Sequence, residues 1–315
     1  MRNRMGTRLS IALSLFMYMA DRMELKPPLT FTEQVHRLKQ HGMKFEDSKS
    51  VQHFLEQVNY YRFSGYALEF RTSPQSSQYR EGTTFAHVLA LYQFDEKLRH
   101  ILRLPLEEAE VYYRTQIANV FACLKCQTSP HDQHYLEKNY YRKDIFHKLQ
   151  KQIEREENYH RDSLIVQHHI SKYQNRMPLW VLVELMSFSS LSKFYSCMYR
   201  NDQEAIAASI GTSARILGNH LHCMAVLRNR CAHAGRLYHA VFAPPVVFGQ
   251  RFLRQHPEVQ TNTFFAYLLM LIKRLPSERQ QELLKKDVSE LFEAHADIIT
   301  PSSIGLPENW RTFLN

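Results

Sequence analysis

A chain of 315 residues has room for about two average domains, but 9 Gly and 12 Pro are too few to punctuate the many short strands of a β-sandwich or barrel. With 44% hydrophobic, 12% aromatic and 23% charged residues it can bury a core and is not a disordered chain. Lys and Arg number 40 against 31 Asp and Glu, a net charge of +9, which points moderately toward a polyanionic partner. The 5 Cys, an odd number, fit reduced thiols in a cytosol better than a disulfide framework.

In chain order, Arg2, Arg4 and Arg8 precede an apolar run from Ile11 to Ala20. That run is too short to span a bilayer, and Tyr18-Met19-Ala20 offers only one of the two small residues that a signal cleavage site wants. Residues 1–25 are therefore expected to be a loose leading helix or, with Met23 standing before the folded pattern, a mis-assigned start, and no membrane association is expected. From Leu29 onward the chain reads as successive helices. Thr30 and Glu33 make a capping box for a helix that Gly42 stops, and Asp47 caps a second with Val51, Phe54, Leu55 and Val58 at helical spacing. An aromatic turn follows at residues 59–66, then a polar loop from Thr72 to Gly82. Two long helices, Thr84 to Arg103 and Leu106 to Leu124, are expected on either side of Pro105, a residue suited to a first helical turn. Further helices are expected at Lys143–Tyr159, Ser163–Tyr173, Pro178–Arg200, Ser213–Ala234, Thr261–Leu275 and Ser277–Ala294. Alternating hairpin patterns, repeats and linkers are missing, so residues 26–315 are expected to form one all-α, multi-helix domain.

The most informative stretch is residues 221–239, LHCMAVLRNRCAHAGRLYH. On a helix, Leu217, Leu221, Met224, Arg228 and Cys231 share one stripe, which places an arginine in a row of core positions. A guanidinium there cannot shed its charge and needs an anion, from the fold or from outside. Glu107, Glu108 and Glu110 on the long central helix are the internal candidates. Asn229 and His233 lie one turn apart on the neighbouring stripe, and Arg228 and His233 are about 140° apart around the helix. One straight helix therefore cannot close both on a single phosphate unless it ends there or a second copy contributes. Arg and His together suit RNA cleavage: the ribose 2′-OH attacks its own phosphate, an imidazole moves a proton, and a fixed cation steadies the added charge, with no metal or other cofactor required. The spacing alone is uninformative, since Arg142/His147 and Arg155/His160 repeat it. The context of Asn229, Cys231 and Ala232 at the end of a strongly periodic helix sets this pair apart.

RNRCAHAGR, residues 228–236, resembles the signature of Abi-like abortive-infection proteins of the AbiD/AbiF type, which belong to the HEPN superfamily of helical ribonucleases. KPPLTFTEQVHRL from Lys26, VNYYRFSGYALEF from Val58, LYQFDEKLR from Leu91, AEVYYRTQIA from Ala109, PLWVLVELMSF from Pro178 and GLPENW from Gly305 resemble further family segments in the same order. The resemblance implies an all-α HEPN-like fold, a metal-independent endoribonuclease of phage defence, catalytic residues Arg228, Asn229 and His233, RNA as substrate, a homodimer that assembles the site, and a cytoplasmic setting. An antitoxin protein or a small RNA would restrain it. Glu110 and Arg114, in the family-like AEVYYR, and Arg236 and His239, in and after the motif, are supporting positions, with Glu110 the favoured internal partner of Arg228. Two positions depart from the family: Ala234 stands where a second His is common, and His239 stands where Asn is frequent. These departures favour the alternative of an RNA-binding or regulatory module without turnover.

Two other clusters have competing readings. Cys123-x-x-Cys126 with His131-x-x-His134 offers zinc-type ligands, but the gap between the pairs is tight and Cys is a common core residue, so no metal is assigned. Tyr60-Tyr61-Arg62-Phe63 either contacts RNA through Tyr61 and Arg62 or is a packed helix corner. No Gly-rich phosphate loop, G-x-S-x-G elbow or H-E-x-x-H pair occurs, which removes the usual signatures of P-loop motors, elbow hydrolases and zinc proteases.

Overall fold

Thr30 and Glu33 cap each other's backbone at the start of α1 (Phe31–Gln40), the capping box expected from the sequence, in a computed structural model that describes residues 25–314. The expectations for the leading arginines, the apolar run and Met23 lie outside those residues. Gly42, at φ +89°, takes the left-handed conformation that stops α1. Asp47 accepts from two backbone N–H groups at the start of α2 (Ser48–Gln57), and Asn59 caps the short α3 (Tyr60–Ser64). The rings of Phe54, Phe63 and Phe85 cluster with centroids 4.7–5.6 Å apart. Cα packing groups the chain into two units divided between Phe85 and Ala86, and these elements belong to the first, with a 3-10 helix at Tyr66–Phe70.

The second unit is built on α4 (Phe85–Lys125), a single helix of 41 residues with Pro105 inside it. The two helices expected around Pro105 are thus one. The buried stripe explains the continuity: Leu91, Phe94, Leu98, Leu102, Leu106, Ala109, Tyr113, Ile117 and Phe121 are all sealed from solvent and keep helical phase through the proline. A helix interior proline costs about 3 kcal/mol, less than the burial of the apolar side chains on both sides of it, at about 1.5–3 kcal/mol each.

The other long helices fall close to their expected spans: α5 (Lys143–Tyr159), α6 (Leu164–Tyr173), α10 (Ala214–Ala232), α12 (Phe264–Arg274) and α13 (Glu278–Ala294). The expected helix over Pro178–Arg200 is instead split into α7 (Leu179–Leu185) and α8 (Phe188–Cys197), followed by α9 (Arg200–Ser209). Ser187 makes the first break, since its hydroxyl accepts from the Ser190 N–H and caps α8, while Glu156 of α5 receives the Ser187 N–H and the Ser190 hydroxyl. Short helices α11 (Gln250–Gln255) and α14 (Arg311–Leu314) complete the set. They are too brief to show an apolar period. No β-strand occurs among the described residues, and the fold is all-α.

Within the second unit α10 is the inner helix, packed on α8, α9 and α12. Its Leu217, Leu221, Met224 and Cys231 are buried, as the stripe requires. The five cysteines are free thiols, four of them buried, and burial pushes the Cys197 and Cys231 thiols up to about 12, so they stay protonated and inert at neutral pH.

Candidate functional site

Arg228 leaves the buried stripe of α10 and reaches α4, where its Nε donates to Glu110 at 3.0 Å. Glu110 is buried and accepts a second guanidinium through its other oxygen, from Arg114 at 2.6 Å. Arg114 also donates to the Met186 carbonyl at 2.8 Å. That carbonyl is among the orphan acceptors at the end of α7, so the helix break at Ser187 supplies part of the site. Beside it, Asn229 donates from Nδ2 to the Ser189 hydroxyl at 3.1 Å and sits 3.5 Å from the Arg228 terminal nitrogen. The polar groups of α4, the α7–α8 break and α10 are thereby joined in one network. Two guanidinium groups share one carboxylate, leaving a net positive charge.

A cleft of about 380 Å³ opens on this network, its charged lining being Arg103, Glu107, Glu110, Arg114 and Arg228. With three arginines and two glutamates the lining is cationic. The Arg228 side chain remains 38% exposed, so its outer nitrogens can reach a ligand while Nε holds the fold.

The motif's tail is fixed by a separate device. His233 is the last residue of the α10 turn and its N–H returns to the Asn229 carbonyl. Ala234 then adopts φ +52°, and the Gly235 N–H bonds the Arg230 carbonyl at 2.6 Å while the Ala234 N–H bonds that of Cys231 at 3.4 Å. This is a Schellman termination. At Gly235 a Cβ would come within 3.2–3.3 Å of the Arg230 backbone, a tight contact to which that backbone would have to yield by a few tenths of an ångström. Beyond it, the backbone N–H groups of Leu237 and Tyr238 donate to Asp95 Oδ1 at 3.0 and 2.7 Å, and the buried Arg99 pairs with the other Asp95 oxygen. Arg230 donates to the Arg236 and Val241 carbonyls and stacks over the Phe242 ring.

The structure therefore brings Arg228, Asn229, Glu110 and Arg114 together in one network. His233 is exposed at the helix end and is not part of the cleft lining. Arg236 contributes its carbonyl to Arg230. His239 is exposed, at φ +50°, with its N–H on the Ser303 carbonyl. Tyr61 and Arg62 are exposed on α3, in the first unit, with Tyr61 at 85%. Of the Cys/His cluster, Cys126 Sγ lies 3.5 Å from His134 Nδ1, and His134 Nε2 lies 3.0 Å from the Met177 carbonyl. No three metal-binding side chains converge among the described residues.

Sequence reasoning did not single out Ser189, Asp95 or Arg99. Asp95 and Arg99 carried a readable signal, an acid and a base four apart on a stripe otherwise apolar; Ser189 carried none. Both family departures fall at left-handed backbone positions. Asn is favoured there and His tolerated, while Ala carries the steric cost of its Cβ.

The segments that resemble the family surround the motif: LYQFDEKLR supplies Asp95 and Arg99, AEVYYR supplies Glu110 and Arg114, and PLWVLVELMSF supplies the Met186 carbonyl. No helix among the described residues is long and apolar enough to cross a membrane. No curated protein and no solved structure matches the chain. Residues 53–239, more than half of the chain and ending at the last residue of the motif segment, match the family described as Abi-like protein, and the chain belongs to that family.

Proposed function

We propose that the protein is a metal-independent endoribonuclease of the HEPN type acting in abortive-infection defence in the cytoplasm. One observation carries the reading: a partly exposed arginine faces a net cationic cleft, held by one nitrogen to a carboxylate it must share. A phosphate diester is the natural ligand for the remaining nitrogens, which match its oxygens bidentately. In the reaction, the ribose 2′-oxygen bonds to the adjacent phosphorus and loses its proton to a base, and the 5′-oxygen leaves with a proton from an acid. A 2′,3′-cyclic phosphate and a 5′-hydroxyl result. Arg228 holds the phosphate and its growing charge, His233 moves one of the protons, and Asn229, fixed by Ser189, orients substrate or imidazole.

His233 lies outside the cleft lining of its own chain, so the proton-transfer group is supplied across a homodimer. Two copies related by a two-fold axis present two motifs to one another. Restraint before infection falls to an antitoxin protein or a small RNA.

The exposed His233 and the tethered Arg228 equally favour a second reading, an RNA-binding module without turnover. Labelled RNA incubated with the protein in EDTA separates the two. The nuclease reading expects RNA to be lost with the wild type and kept with His233→Ala at equal folding, whereas intact RNA with a retained gel shift establishes the binder.

A further inference from the structure

Helix α7 buries Leu179, Val181, Leu182, Val183 and Leu185, yet turns Trp180 outward at 59% exposure. Glu184, four residues on, is exposed on the same face. This pair forms one wall of a second cleft, of about 520 Å³, whose other wall is the face of α4 carrying Thr115, Ala118, Asn119 and Ala122. The lining is mostly apolar and includes amide, carboxylate and imidazole groups from Asn119, Gln127, Glu184 and His131. Such a site, an aromatic plate beside hydrogen-bonding edges, has the chemistry of a nucleobase subsite.

Its placement adds the second argument. The cationic cleft lies between α4 and α10 and the second cleft follows it along α4, while Arg114 of the first bonds the Met186 carbonyl at the end of α7, the helix that carries Trp180. Ala118 and Ala122 stand one and two turns beyond Arg114, about 6 and 12 Å along the axis. A stacked strand advances about 3.4 Å per nucleotide and a splayed one further, so a strand with its phosphate at Arg228 reaches the Trp180 cleft within a few nucleotides.

Resting on the proposed function for its phosphate end, we infer that the Trp180 cleft is a subsite for an unpaired base of the same RNA strand, stacked on the indole. Glu184 accepts from an exocyclic amino group, which favours cytosine, adenine or guanine over uracil.

The test uses the full chain carrying His233→Ala, which keeps RNA intact, and reads tryptophan emission. Trp180 is exposed and the chain's second tryptophan, Trp310, is buried. Single-stranded RNA should quench the emission, and the quench should vanish when Trp180→Phe is added, leaving Trp310 as reference. Trp180→Ala should weaken RNA binding about 5- to 150-fold, the affinity equivalent of one base stack, without changing the affinity for an abasic strand of the same length. Glu184→Gln should erase the preference for cytosine over uracil strands. RNA that fails to bind, binds equally well without Trp180, or leaves its emission unchanged overturns the subsite. So does a Trp180→Ala chain whose altered property is self-association, which assigns the cleft to a second copy. Wild-type cleavage with an unquenched indole removes the subsite and leaves the nuclease; a quenched indole with no cleavage does the reverse.

Discussion

Glu110 is where structure and chemistry meet in one side chain. Its buried carboxylate receives Arg114 and Arg228 on separate oxygens, and removing one partner of a buried pair leaves the rest uncompensated. Glu110→Gln is expected to destabilise the chain by about 3 kcal/mol in urea unfolding, with Arg228 shifting toward the cleft. An unchanged midpoint and slope would mean that both arginines are satisfied by solvent. Arg228 as a buried-stripe cation in need of an acid was legible from spacing alone. Its sharing of that acid with Arg114 was legible only as far as the family-like segment AEVYYR brought the two residues to notice. Asn229's partner Ser189 was not legible, because a serine 40 positions away leaves no periodic trace.

At the scale of elements, local propensity and tertiary burial compete, and each decides at a different place. Pro105 reads as a helix start, but the apolar stripe from Leu91 to Phe121 keeps α4 continuous. The reverse occurs at Ser187, where a run apolar enough for one long helix is divided by a hydroxyl cap and by Glu156 reaching from another helix. The hydroxyl cap is local, but the Glu156 contacts that hold it come from 31 and 34 positions away and leave no periodic trace in the sequence. The end of α10 shows the same competition at smaller cost. Ala234 sits at φ +52°, where an L side chain is penalised by about 1–2 kcal/mol and glycine is not, while glycine loses about 0.5–1 kcal/mol through its freer unfolded chain. Ala234→Gly should therefore raise stability by about 0.5–1 kcal/mol, measured by thermal or urea unfolding, and a loss of stability would show that the alanine methyl makes a packing contact worth more than the strain.

For the whole molecule, buried titratable groups set a pH profile. Burial holds His134 and His220 down to about 4, with repulsion from Arg274 adding to the effect on His220. Burial, with the Glu154 charge second, pushes Glu157 up to about 7. Between about pH 4.5 and 6.5 the unfolded chain carries the extra proton on each histidine, and the folded chain carries it on Glu157. Unfolding then takes up two protons and releases one, so these groups make stability rise with pH by about 1.4 kcal/mol per unit. Approaching pH 7 the histidines of the unfolded chain lose their protons while Glu157 ionises in the fold, and the slope fades to about zero. Urea unfolding over that pH range should show the rise, and a steady decline from pH 5 to 6.5 would contradict the assignment of the two histidines as buried and neutral.

The same scale carries the functional claim, that Arg228 of one copy and His233 of another act on one phosphate. Mixing two inactive chains, Arg228→Ala and His233→Ala, tests it directly in the RNA cleavage assay. A two-fold dimer that exchanges subunits freely becomes half mixed pairs, each with one complete composite site, so about a quarter of the wild-type rate should return. A mixture as inactive as its parts, although subunits exchange and wild-type chains cut RNA, would contradict a site shared between copies.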